Sequence, residues 1–168
     1  MSLAVGRDLH GGETPAGDVP VRVTGPAAVA VDATAREAAG DLQVHADRYG
    51  PYPWSELDVV AVSLGPDAGG MEWPGSVWID GLQDGAGGEA RLTLDHELAH
   101  QWWHALVGND SIRAPVVDEP LAQYSMCLVS AGCWRSGVPR GGADEPECAD
   151  RPTREFASAG EYGALVYD

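Results

Sequence analysis

The sequence predicts an α+β domain in which a small mixed sheet packs beside helices, and three observations carry that expectation. Three short runs rich in β-branched and apolar residues, Val19 to Val23, Leu57 to Leu64 and Ser76 to Asp80, read as strands. Three longer stretches, 32–49, 89–107 and 118–130, place apolar residues at helical spacing. The chain has 168 residues, 44% of them hydrophobic, enough to bury one core.

Each element has a local reason. Met1 to Pro26 is rich in Gly and Pro and carries one alternating run, Val19-Pro20-Val21-Arg22-Val23, expected as a single strand. His10 falls in a glycine-rich turn, where it should be solvated. From Asp32 to Tyr49, Ala35, Ala38, Ala39, Leu42, Val44 and Ala46 recur at roughly helical spacing, which predicts a surface helix with His45 on its solvated side. Gly50-Pro51-Tyr52-Pro53 ends that helix, because proline lacks the amide proton and restrains the residue before it. Leu57 to Leu64 is mostly apolar and reads as a buried strand. Gly65 to Gly70 is a loop, Ser76 to Asp80 a further strand, and Gly81 to Gly88 a flexible connection.

Glu89 opens the central helix, expected to run to about Val107 and to stop at Gly108-Asn109. Leu92, His96, Ala99, Trp103 and Leu106 would share one of its faces. A last helix is expected from Asp118 to Ser130, with Pro120 tolerated in its first turn, where an amide proton would have no intrahelical partner. Ala131 to Pro152 reads as a polar loop, and Thr153 to Asp168 recovers some helical character.

Composition narrows the function. A net charge of −16 repels nucleic acid and anionic lipid, so neither is expected as a partner. No apolar run approaches 18 residues, so no membrane span is expected in this chain. Cys127, Cys133 and Cys148 include no C-x-x-C pair, which argues against a thiolate zinc site. Free thiols are the expected state, with a Cys133–Cys148 bridge as the alternative.

The chemistry concentrates in Leu92-Thr93-Leu94-Asp95-His96-Glu97-Leu98-Ala99-His100-Gln101-Trp102-Trp103, which contains H-E-x-x-H on a helix. At 3.6 residues per turn His96 and His100 stack on one face and can hold one cation, with Glu97 beside it and free to act as a base. A catalytic zinc takes three protein ligands and leaves one position open. Glu119, 19 residues after His100, supplies the third if the chain returns on a second helix. Gln123, one turn further, is a candidate hydrogen-bond partner for a zinc histidine, and His104 is expected beside the site or exposed.

Gly69-Gly70-Met71-Glu72-Trp73-Pro74, the helix motif with its Gln-Trp tail, Glu119 and Tyr167 together resemble the aminopeptidase N-like gluzincin family of zinc metallopeptidases, from about Val29 to Asp168. The resemblance implies a thermolysin-like catalytic domain over residues 28–168, present in part with a truncated helical lobe. Residues 1–27 would be a linker or the last strand of a missing N-terminal β domain, and domains on both sides would complete the full-length protein.

It further implies one Zn2+ per chain on His96, His100 and Glu119, with Glu97 as general base. The substrate would be a peptide with a free N-terminus, its ammonium bound by Glu72 and its backbone aligned by the strand at Gly70 and Met71. Tyr167 would donate to the oxyanion, and Tyr162 matches a second active-site tyrosine of some relatives. The sequence departs from the family at Trp73, usually Asn, at Asp118 and Pro120, usually Asn and Gly, and after Tyr167, where x-Lys-Gly is usual. The alternatives are an endopeptidase-like relative and a zinc-binding module that is inactive as this fragment.

Overall fold

The computed structural model describes residues 5–65, 68–82, 89–111, 113–115 and 117–129. In chain order these form β1 (Leu9–Ala16), β2 (Val19–Pro26), α1 (Val31–Tyr49), β3 (Leu57–Ala61), β4 (Gly70–Trp73), β5 (Ser76–Ile79), α2 (Glu89–Ala99) and α3 (Asp118–Val129). The strands make one mixed five-stranded sheet in the order β1-β2-β3-β5-β4. The two outer pairs are antiparallel hairpins, and β2–β3 and β3–β5 are parallel.

A strand was expected at Val19, but not its partner β1. That strand is mostly exposed, so no apolar alternation marks it, and it is held by main-chain pairing to β2 from Leu9↔Pro26 to Ala16↔Val19. The β4–β5 hairpin turns on Pro74-Gly75 between the paired Trp73 and Ser76. Proline presets the first turn position and Gly75, at φ +75°, supplies the left-handed second one.

One face of the sheet is covered by helices, α1 over β1 and β2, and α2 over β4 and β5. Val21, Val23, Leu57, Val59, Val77 and Ile79 meet Ala35, Ala38 and Leu42 of α1 and Leu94 and Leu98 of α2, all essentially without solvent exposure. His45 belongs to this interior rather than to the solvated side that its sequence context suggested. It lies one turn beyond Leu42 on the buried face, and Trp102 covers it, with ring centroids 5.7 Å apart. Val44 is exposed instead.

The central helix also ends earlier than expected. Its regular part stops at Ala99, and the chain continues through short-range bonds, Gln101 N–H to Leu98 O (3.1 Å) and Trp102 N–H to Ala99 O (3.0 Å). Wider ones follow, Ala105 N–H to His100 O and Val107 N–H to Trp102 O. The predicted face is also not the core one: the row Leu94, Leu98 and Trp102 makes the core contact, and Leu106, beyond the change of pitch, is exposed. Cys127 on α3 is disulfide-bonded, not a free thiol, whereas Cys133 and Cys148 lie outside the described residues. Spacing along the chain does not reveal which thiols the fold brings together. No helix of the described residues is long and apolar enough to cross a membrane.

Candidate metal centre

His96 and His100 come from the last turn of α2 and the residue after it, and Glu119 from the first turn of α3, which packs against α2. His96 Nε2 lies 3.0 Å from His100 Nε2 and 3.2 Å from Glu119 Oε2, and His100 Nε2 lies 3.6 Å from that same oxygen. Around a tetrahedral zinc with bonds of about 2.0–2.1 Å, neighbouring ligand atoms stand about 3.3 Å apart. The triangle therefore has the size that such an ion requires.

The protonation chemistry agrees. His100 Nδ1 lies 2.8 Å from the Trp103 carbonyl, which can only accept, so Nδ1 carries the proton and donates it. In the neutral ring Nε2 then presents a bare lone pair to the centre, where His96 and Glu119 also converge. Three facing lone pairs repel unless a cation lies among them. With protons as the only cations, burial would lower the pKa of His100, but the Glu119 hydrogen bond and the charges of Glu97 and Glu119 outweigh it and push His100 up to about 9. Glu119 is buried too, which would raise its carboxyl, yet its bonds to His100 and His96 hold it well below the ordinary range. A metal ion would replace those protons.

Glu97 stands apart from the ligand triangle and is almost entirely buried. Burial is the main reason that its carboxyl is pushed up to about 7; the two histidines oppose the shift, while Glu72 and Glu119 add to it. A carboxylate titrating near neutral pH suits a group that must take up and release a proton. Gly70 at the start of β4 shapes its seat, because a Cβ there would overlap the Glu97 side chain. Glu72 follows on the same side of the strand and is half-buried. Met71 lies between them and points its side chain to the other face, 36% exposed, so only its main chain can serve the site.

His104 does not join the centre. The backbone leaves helical geometry there, at φ +149°, and its Nδ1 lies 3.2 Å from Ser111 Oγ and 3.4 Å from Asp118 Oδ2. Asp118, fully buried, also accepts from the Glu119 N–H, so His104 braces the start of α3. The partner expected of Gln123 is supplied to His100 by the Trp103 carbonyl. Trp103 also donates its indole N–H to Ser125 Oγ (2.8 Å), tying the histidine to the helix that carries Glu119. Sequence reasoning took Trp103 for a core residue and missed this; its place just after the H-E-x-x-H motif was the available signal. Tyr162 and Tyr167 lie outside the described residues.

The fold and this geometry define the class of molecule that the chain resembles. The mixed five-stranded sheet with three helices matches the peptidase-domain fold of M1 zinc metallopeptidases. The M1 zinc metallopeptidase of Deinococcus radiodurans superposes with a TM-score of 0.55 at 26% identity, over 71% of this chain and 28% of that one. A glutamate-to-alanine mutant of that enzyme gives 0.54 at 25%, and a two-domain M1 zinc metallopeptidase mutant bound to L-arginine gives the same values, both with the same coverage. The chain thus spans under a third of the length of the solved chains that it matches. No protein-family model and no curated protein matches it.

Proposed function

We propose that the chain is part of the thermolysin-like catalytic domain of a zinc aminopeptidase, removing N-terminal residues from peptides. The observation that carries this reading is the convergence of His96 Nε2, His100 Nε2 and Glu119 Oε2 within 3.6 Å, with the buried Glu97 carboxyl alongside. One zinc held by those three atoms would acidify its water and polarise the scissile carbonyl.

The rest is the work of this chain's side chains. Glu97 takes the proton of the attacking water on its carboxylate and passes it to the leaving amine; its raised proton affinity makes the uptake favourable and its burial keeps bulk water from competing. Glu72 offers a half-buried carboxylate to the substrate ammonium, a charge-assisted bond that restricts cleavage to the first peptide bond. The edge of β4 at Gly70 and Met71 aligns the substrate backbone by strand addition. Tyr167 and Tyr162 keep their proposed roles as oxyanion donor and substrate contact. In this reading residues 28–168 belong to the partial catalytic domain, β1 and β2 of the segment before them extend its sheet rather than leading into it as a linker, and N- and C-terminal domains of the full-length protein would complete the cleft.

Metal analysis of the purified chain should find about one zinc, lost in Glu119→Ala. A free-amine peptide should be cleaved and its N-acetylated form spared. Equal cleavage of both would replace the aminopeptidase reading with an endopeptidase, and zinc without any cleavage would leave a metal-binding module.

A further inference from the structure

Gln101 follows the second metal histidine directly, is fully buried, and spends its side chain on a different element. Its Nε2 donates to the Trp73 carbonyl (3.0 Å), and its Oε1 accepts from the Gly75 N–H (2.8 Å) and the Tyr52 hydroxyl (3.4 Å). Trp73 and Gly75 flank Pro74 in the turn of the β4–β5 hairpin, so one primary amide grips that turn on both sides. The contacts bridge 28 and 26 residues of sequence. At one end the amide hangs from the residue after His100; at the other it holds the residue after Glu72. Both carboxamide atoms are committed and the side chain is fully buried, so the link has little freedom to shift.

Resting on the aminopeptidase reading above, we propose that Gln101 is a positioning residue that sets the distance between the amine-binding Glu72 and the metal ligands, and with it the selectivity for substrates with a free N-terminus. The hairpin needs such a device. β5 is anchored by β3 and by Val77 and Ile79 in the core, but β4 is the edge of the described sheet, paired only to β5 over four residues, and a short edge strand can twist relative to the helix that covers it. A shift of about 1 Å at Glu72 is enough to spoil a charge-assisted hydrogen bond to an ammonium group held on the metal side of the cleft.

The test is a binding measurement on the zinc-loaded chain, so that turnover is not required. Titration calorimetry with leucinamide and with N-acetyl-leucinamide gives an affinity ratio for the native chain, Glu72→Gln, Gln101→Leu and Gln101→Glu. Zinc content and thermal unfolding are recorded for each. The native chain should favour the free amine, and Glu72→Gln should remove that preference. Gln101→Leu, which deletes all three bonds, should cut the ratio at least tenfold while zinc stays near one per chain. Gln101→Glu keeps the acceptor oxygen for the Gly75 N–H and the Tyr52 hydroxyl but replaces the amide donor to the Trp73 carbonyl. It should therefore lower the ratio by less than the leucine variant does, and it carries the test if that variant does not fold.

If both Gln101 variants keep the native ratio and only melt at lower temperature, Gln101 is merely structural and the proposal is overturned, with the aminopeptidase reading intact. If the native chain and Glu72→Gln do not differ, the amine-binding reading itself fails and the proposal falls with it.

Discussion

Two histidines of this protein are equally buried and behave oppositely. His45 sits between α1 and Trp102, with neither ring nitrogen hydrogen-bonded among the described residues. Burial, helped by the charge of Arg48, pushes it down to about 4, so it stays neutral and acts as a flat apolar ring stacked on Tyr49. His100 is as deep, but it faces Glu119 and Glu97, and its other nitrogen is pinned by the Trp103 carbonyl. Its affinity for a cation is raised instead. Burial by itself thus makes a histidine inert; burial beside carboxylates raises its affinity for a cation. The −16 net charge has no bearing on the difference, which is decided by which acid each ring meets.

Glu97→Gln breaks the comparison most sharply on the side of the centre. It should leave zinc bound, since Glu97 is not in the ligand triangle, and should lower turnover by about 10²–10⁴-fold in a steady-state peptide assay. A variant cleaving at the native rate would mean that another group takes the proton.

His45→Leu sharpens the other side. The folded state holds His45 near 4 and the unfolded chain near its ordinary value of 6.5, so the unfolded state binds the extra proton between these pH values. His45 therefore costs no proton-linked stability above pH 6.5 and removes about 3 kcal/mol as pH falls to 4. Urea unfolding followed over that range should show a flatter acid limb in the leucine variant. Identical slopes in the two proteins would mean that His45 is not neutral by burial.

Gly70→Ala should be the mildest. The new methyl group forces Glu97 or β4 to move, costing about 1–3 kcal/mol and lowering activity more than metal content. Unchanged activity would show that the Glu97 carboxylate has room to relocate.

Much of the candidate centre was legible because it is written in local geometry. An i, i+4 pair on a helix must stack its side chains, so His96 and His100 could be paired on spacing alone, and Glu97 placed beside them. Glu119 needed one further inference, that the chain returns on a second helix, and a carboxylate in the first turn of α3 meets it. Strands such as Leu57–Ala61 and Ser76–Ile79 announced themselves because they are buried and β-branched, whereas β1, exposed and held by main-chain bonds, left no side-chain signal.

What the sequence determined by itself, then, was the order of elements from β2 onward, the helical histidine pair and the residue types of the site, all of which depend on neighbours within a turn or two. The tertiary structure alone decided that His45 is interior, that the central helix changes pitch after Ala99, and that Gly70 must lack a side chain because Glu97 occupies the space. It alone decided, too, that Gln101 reaches Trp73 and Gly75. Apart from the change of pitch, each of these is a contact between segments far apart in the chain. Their energy depends on packing and on which polar group arrives opposite which, and no local pattern encodes that arrival.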